Sequence, residues 1–141
     1  MNNWFVWALL SAVFAALTAI LAKVGVADVN PNLATAIRTT VILVITWALA
    51  FVTSGKADWS ALTHRAWIFL AASGVMTGLS WLCYFRALKL GDVAKVAPVD
   101  KLSVAIAIIL AVVLLGERVK MQEAIGAALI VLGVVVMVVK L

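Results

Sequence analysis

The sequence has few of the residues that build metal centres and soluble active sites. It contains one cysteine, Cys83, and one histidine, His64. It can therefore form neither an internal disulfide nor a cysteine and histidine metal cluster. It also lacks a glycine-rich phosphate loop and any grouping of a serine, a histidine and an acid that would suggest a nucleophile. These absences predict a protein that is not an enzyme and that holds no metal and no cofactor.

Charged residues are also scarce, at 12% of the 141 residues, whereas hydrophobic residues make up 67%. A soluble domain cannot bury so much apolar surface, so the solvent of this chain must be lipid. The net charge of +5 comes from residues placed between apolar runs. That placement favours anchoring in the bilayer over binding of nucleic acid, which needs a basic stripe on a polar domain.

Five apolar runs predict an all-α, polytopic membrane protein with five transmembrane helices. A helix needs about 20 residues to cross a bilayer, and the last run approaches this length once residues 121–123 join it. The connections are short, so consecutive helices are expected to be antiparallel neighbours. The predicted spans of this single domain, residues 1–141, are 4–22, 33–52, 67–85, 93–115 and 121–139.

The cations in the connections are divided almost evenly between the two faces of the membrane. An odd number of spans places the termini on opposite faces, and the positive-inside rule then gives no clear orientation. Two interpretations stay open: one orientation set by the first span, or dual topology, in which copies insert both ways. The cations are Lys56, Arg65, Arg118 and Lys120 on one face and Lys23, Arg86, Lys89, Lys95 and Lys140 on the other.

Small polar residues recur at helical spacing within the first three spans, and the fourth contains ionic residues. Such stripes either let helices pack closely in lipid or line a cavity. The fifth span has no polar residue from Ala124 to Val139. The stripes contain Ser11 and Thr18 in the first span, Thr35, Thr39 and Thr46 in the second, and Ser73, Thr77, Ser80 and Tyr84 in the third.

Arg38 and Asp100 lie at similar depths, as the sixth residue of the second span and the eighth of the fourth. Ionic groups at this depth are costly against lipid and are tolerated beside a partner or a wet cavity. We therefore predict that Arg38, Asp100 and Lys101 form a charged cluster beside Trp81 and Tyr84. The alternative is a structural pair of Arg38 and Asp100 that fixes helix register. The predicted substrate-binding residues are Arg38, Thr39, Thr77, Ser80, Trp81, Tyr84, Pro98, Asp100 and Lys101.

Pro98 lies inside the fourth span, where it removes one backbone hydrogen bond and predicts a kink that can act as a pivot. The alternative is a proline close enough to the helix start to cost little. Asp100 is the only acid well inside a span, and neighbouring cations would favour its charged form. The sequence therefore favours exchange or facilitated export, with proton coupling as the alternative.

Two segments resemble a known family. Residues 81–117, WLCYFRALKLGDVAKVAPVDKLSVAIAIILAVVLLGE, and residues 126–137, GAALIVLGVVVM, resemble the second half of an EamA domain of the drug/metabolite transporter superfamily. Arg38 also fits the pattern of that domain. Members usually have ten spans in two five-span domains of inverted orientation. The resemblance therefore implies an EamA-like helical bundle that works as an antiparallel homodimer, with a site between inverted repeats.

The last span resembles the dimerisation motif of small multidrug resistance proteins. Its glycines lie seven residues apart and share a helical face, on which a second copy could pack closely. The alternative is glycines that face lipid. The first span lacks the membrane-embedded glutamate with which those proteins couple cations to protons, which argues against proton-driven export of cationic drugs. The predicted dimer interface is Gly126, Leu129, Ile130, Gly133 and Val134.

These observations together predict a transporter of small metabolites in the inner (plasma) membrane. The substrate is expected to be amino-acid-like, because the predicted cluster offers both signs of charge. Alternating access would move it, with a second copy of the chain as partner. Two alternatives stay open: a lipid-flippase subunit, whose phosphate head groups would lie near Arg38 and Lys101, and a non-transporting scaffold or accessory protein.

Overall fold

The structure, a computed structural model, describes residues 4–139, and for residues 56 and 57 it describes the backbone alone. Within this range the regular structure is helical, without strands, which confirms the predicted all-α fold. Lys140, one of the cations counted above, lies outside the described residues. The helices are α1 (Trp4–Val26), α2 (Pro31–Thr53), α3 (Lys56–Ser60), α4 (His64–Leu90), α5 (Val93–Asp100), α6 (Leu102–Leu115) and α7 (Met121–Val138).

Five stretches of the described chain are long and apolar enough to cross a membrane, which confirms the five predicted spans. The third differs most from the prediction, because it continues past residue 85 to Leu90. Arg86 and Lys89 did not end it, since long cationic side chains can reach water from the last turns of a helix. The five stretches are Trp4–Val26, Pro31–Thr53, His64–Leu90, Val93–Leu115 and Met121–Val138.

The connection between the second and third spans contains a short helix, α3, that the sequence analysis did not predict. Asp58 accepts a hydrogen bond from the Gly55 N–H at 2.8 Å and closes the turn before it. The Trp59 ring stacks on the Trp47 ring, with centroids 6.0 Å apart, and on the Phe51 ring at the same distance. This connection therefore packs through aromatic rings against the end of α2, as interfacial tryptophans often do.

The chain divides into two compact units, Met1–Leu90 and Gly91–Leu141. In the first unit, α4 packs against both α1 and α2. The buried residues of this unit lie toward the end where α1 and α4 finish and α2 begins, and Val26 and Leu88 are fully inaccessible. The expectation of a single domain over residues 1–141 stays a prediction. The buried residues are Ala19, Val26, Thr35, Phe85 and Leu88.

Two lysines join the elements at this buried end. Lys23 of α1 donates a hydrogen bond from Nζ to the Leu88 carbonyl at 2.7 Å. Lys89 donates from Nζ to the Val29 carbonyl, in the connection after α1, at 2.8 Å. The last carbonyls of a helix have no donor within the helix, so a lysine from another element can satisfy them. These bonds hold the ends of α1 and α4 together.

In the second unit, α7 packs against α5 and α6. The fourth span is interrupted at Lys101, between α5 and α6. Pro98 has no N–H to continue the helix, and the Lys101 N–H donates to the Pro98 carbonyl at 3.0 Å in a tightened turn. The interruption lies close to the proline, where the sequence predicts a kink. Gly116 ends α6 with a φ of 68°, a left-handed conformation that glycine adopts without strain.

Candidate functional site

A cavity of about 360 Å³ lies among α1, α2 and α4 of the first unit. Its volume is at the lower end of the range typical of ligand sites, about 300–1,000 Å³, and suits a small molecule. Its described lining is mostly apolar, and Arg38 is the charged residue among it. The lining residues are Thr18, Leu21, Ala22, Gly25, Val29, Ala34, Ile37, Arg38 and Phe85.

Two aromatic rings of α4 hold the guanidinium of Arg38. Its Cζ lies 4.3 Å from the centroid of the Trp81 ring and 5.4 Å from that of Phe85. Both distances are within the roughly 6 Å over which a cation is attracted to a ring face. Trp81 and Phe85 are four residues apart, so they lie on the same face of α4, one turn from each other. The rings on that face of α4 therefore position the guanidinium of Arg38, which belongs to α2.

The ring contacts explain how Arg38 can lie within a membrane span. A cation at the centre of a span costs about 2.5–3.5 kcal/mol on insertion scales, and a cation–π contact contributes about 0.5–2 kcal/mol. Two rings thus offset much of the cost without a carboxylate. Within the described part of the first unit, neither Asp28 nor Asp58 forms an ion pair with Arg38. Rings accept no conventional hydrogen bonds, so the N–H groups of the guanidinium remain able to bind an anion.

Two of the predicted site residues, Arg38 and Trp81, come together in the first unit. Tyr84 is half-buried on α4, one turn after Trp81. Sequence reasoning missed the role of Phe85, which is 3% exposed and provides the second ring. Its spacing of four residues from Trp81 places it on the same face of α4, but spacing alone does not show that this face is turned toward Arg38.

Of the predicted site residues of this unit, only Arg38 belongs to the described lining of the cavity. Thr39, Thr77 and Ser80 are exposed and are not among its lining residues. The Thr39 hydroxyl donates to the Thr35 carbonyl at 2.8 Å, and the Thr77 hydroxyl donates to the Ser73 carbonyl at 2.9 Å. These hydroxyls are thus bonded within their own helices. A substrate-binding role for the three residues stays a prediction.

The remaining predicted site residues lie in the second unit. Lys101 Nζ is 3.1 Å from Asp100 Oδ2, and the side chains of the pair are 55% and 37% exposed. Pro98 is half-buried. Asp100 is the last residue of α5, and Lys101 is the residue at which the span is interrupted. Because Arg38 belongs to the first unit, the cluster of all three ionic residues stays a prediction.

The predicted dimer face of α7 is largely open. A side-chain carbon added at Gly126 or Gly133 would meet no atom within 4 Å. Leu129 is 62% exposed and Ile130 39% exposed. Val134, at 6%, is buried within the chain, so it packs inward while the other four residues leave room for a neighbour. Their role as an interface stays a prediction.

Comparison with known proteins identifies the family. The sequence matches the EamA-like transporter family over residues 2–139. An uncharacterized transporter in the cobO 3' region of Sinorhizobium sp. is 52% identical over 132 residues, which cover 94% of each chain. The uncharacterized transporter YxxF of Bacillus subtilis (strain 168) is 28% identical over 134 residues, which cover 94% of this chain but 42% of that protein. No solved structure matches.

The match to the family covers nearly the whole chain and confirms the resemblance found in the sequence. The five spans agree with it, since each is long and apolar enough to cross a bilayer. The chain therefore belongs to the EamA-like transporter family and is a multi-pass membrane transporter.

Proposed function

We propose that this protein transports small metabolites with an anionic group and an apolar body, amino-acid-like molecules among them, across the inner (plasma) membrane. It works as an exporter or exchanger by alternating access. The observation that carries the proposal is the cavity of the first unit, in which Arg38 is the charged residue of an otherwise mostly apolar lining.

The lining supports both parts of this substrate description. Aliphatic side chains such as Leu21 and Ile37 favour an apolar body. The Arg38 guanidinium, held by the Trp81 ring, favours a carboxylate, which it can bind through two parallel N–H donors. A volume near 360 Å³ suits a metabolite better than a whole lipid with its acyl chains.

The working unit that we propose is an antiparallel homodimer. Many transporters consist of two inverted repeats with a binding site at their interface, and residues 4–139 of this chain supply one set of five candidate spans. The matched stretch of 134 residues covers 42% of the Bacillus subtilis relative, which is therefore more than twice as long as this chain. That length leaves room for two such sets in one chain. The near tie of the loop cations suits insertion in both orientations.

Transport by reconstituted vesicles tests the proposed function. Purified protein would be screened against labelled metabolites that carry carboxylates, amines or both. The native protein is expected to take up a carboxylate, and Arg38→Met is expected to lose at least tenfold of that uptake, because one charge-assisted bond contributes about 1.5–3 kcal/mol. Unchanged uptake by Arg38→Met would contradict the proposal.

Arg65→Met is the matched control for this screen. Arg65 also lies over an aromatic ring, with its Cζ 5.7 Å from the Phe69 centroid, but it is not among the cavity lining residues. It is expected to transport like the native protein. Movement of a fluorescent phospholipid without metabolite uptake would favour a flippase instead, and silence in both assays would favour an accessory protein.

The antiparallel dimer has its own test. A reporter fused to the C-terminus and read on both sides of the membrane is expected to be active on both, because dual insertion places that terminus on either face. Activity on one side alone would contradict dual topology. Gly133→Ile is expected to weaken dimerisation in cross-linking experiments, since it fills the open face of α7.

A further inference from the structure

A second cavity, of about 430 Å³, lies at the buried end of the first unit, and the proposed transport function makes no use of it. It differs from the first in chemistry, because polar and cationic side chains form most of its lining. The lining residues are Asn30, Pro31, Asn32, Arg86, Lys89 and Leu90.

This cavity lies at the level where membrane spans end. α2 begins at Pro31 and α4 finishes at Leu90, and both belong to candidate spans. The ends of such helices lie near the lipid head groups. Leu90 is 82% exposed beside the cationic residues, so an apolar surface continues from the polar cavity. A ligand with a charged head and an apolar tail would fit a polar cavity that borders an apolar surface.

The charge at this end of the unit is positive. Lys89 is fixed by its bond to the Val29 carbonyl, yet an ammonium has three donors, so others remain for a ligand. Arg86 is exposed and forms no hydrogen bond or ion pair within the described part of the first unit. Among the acids of the first unit, Asp28 precedes the start of α2, and it forms no ion pair within the described part of that unit. The start of α2 contains no acid in its first turn, so its helix dipole adds to the positive potential.

We propose that this cavity binds the phosphate of an anionic phospholipid head group, with Arg86 and Lys89 as its ligands. The phosphate lies between the two cations, and an acyl chain extends along Leu90. A bound lipid joins the end of α4 to the start of α2, so it stabilises the fold at the unit's buried end. A lipid rather than soluble phosphate is expected because the site borders an apolar surface at the ends of two spans.

Thermal unfolding of the full chain in neutral detergent micelles tests this site. A short-chain phosphatidylglycerol would be titrated against a phosphatidylcholine with the same acyl chains. Phosphatidylglycerol is expected to raise the unfolding midpoint of the native protein, and phosphatidylcholine is not. Arg86→Gln should need about fivefold more phosphatidylglycerol for half of the effect, because each basic group near an anionic surface contributes about that factor.

Two control variants separate the site from general electrostatics. Arg65→Gln removes a cation from the opposite end of α4 and is expected to leave the half-effective concentration unchanged. Arg86→Lys keeps the charge and is expected to recover most of the response. The half-effective concentration is compared rather than the midpoint itself, so a change in intrinsic stability does not affect the result.

Three results would overturn the proposal. An equal response to the two lipids in the native protein would exclude a site for anionic head groups. An equal half-effective concentration in Arg86→Gln and Arg65→Gln would show that the cavity cations are not the ligands. Inorganic phosphate or glycerol phosphate that stabilises the native protein as strongly as phosphatidylglycerol would make the ligand a soluble phosphate. The first and third of these results need only the native protein, so they test the proposal even if a variant fails to fold.

Discussion

The contacts of charged side chains differ between the two units of the chain. In the first unit, Lys23 reaches a carbonyl 65 residues away in the sequence, and Arg38 lies over two rings of another helix. In the second unit, Lys101 pairs with its chain neighbour Asp100, and both side chains stay substantially exposed. Most of the buried residues in the described part of the chain also belong to the first unit, whereas the second contributes Val134.

This difference suggests different roles for ionic residues in the two units. Contacts between helices hold Lys23 and Arg38 of the first unit, so Lys23 stabilises its fold and Arg38 contributes to its cavity. In the second unit, Lys101 and Asp100 form an ion pair with each other at the point where the helix is interrupted. Ionic residues within a span are tolerated in a bilayer beside water or a further partner.

The largest effect is expected where the first unit is most deeply buried. Leu88 is fully inaccessible, whereas Leu90, two residues later, is 82% exposed. Leu88→Ala should lower the free energy of unfolding by about 2–5 kcal/mol, because it leaves a cavity. Leu90→Ala should change it by less than about 0.5 kcal/mol. Unfolding in mixed micelles with increasing SDS measures both, and equal losses would contradict the assigned core.

The next largest loss of unfolding free energy is expected for a cation of the first unit, and a cation of the second unit provides the comparison. Lys23→Met removes the charged donor to the Leu88 carbonyl and should cost about 1.5–3 kcal/mol. Lys101→Met breaks a pair that is partly open to solvent and should cost less than about 1 kcal/mol. The same SDS titration ranks the two variants. A larger loss for Lys101→Met would reverse the contrast between the units.

A smaller effect is expected for the ring beneath Arg38. Trp81→Leu removes the nearer cation–π contact and should lower the free energy of unfolding by about 0.5–2 kcal/mol. Trp81→Phe keeps a ring and should recover part of the loss. Trp67→Leu, an exposed tryptophan on the same helix, is the control. Equal free energies of unfolding for Trp81→Leu and Trp67→Leu in the SDS titration would show that the Trp81 ring does not hold the guanidinium.

Much of the fold could be predicted from the sequence because lipid imposes a simple pattern. Runs of about 20 apolar residues predict spans, and the five predicted spans were found. The ends were less predictable: Arg86 and Lys89 extend α4, since their long side chains suit a helix end. The short helix α3 was missed, because five residues are too few to show a helical period.

The site was predictable only in part. Depth along the spans predicted that Arg38 lies beside Trp81, and the guanidinium does lie over that ring; a role of these residues in a binding site stays a prediction. The second ring, Phe85, depends on how α4 is rotated against α2, and apolar spacing in a membrane helix does not define that rotation. The hydroxyls of Thr39 and Thr77 looked like cavity donors in the sequence but bond to their own helices. Threonine in a helix has that local option, which a stripe pattern does not distinguish.

The central claim is that the Arg38 guanidinium recognises an anionic group in the cavity of the first unit. The most direct measurement compares vesicle uptake of a carboxylate found in the metabolite screen with uptake of its carboxamide, in the native protein and in Arg38→Met. The native protein should favour the carboxylate by roughly tenfold to a hundredfold, and Arg38→Met should lose that preference. A preference that survives in Arg38→Met would contradict the account.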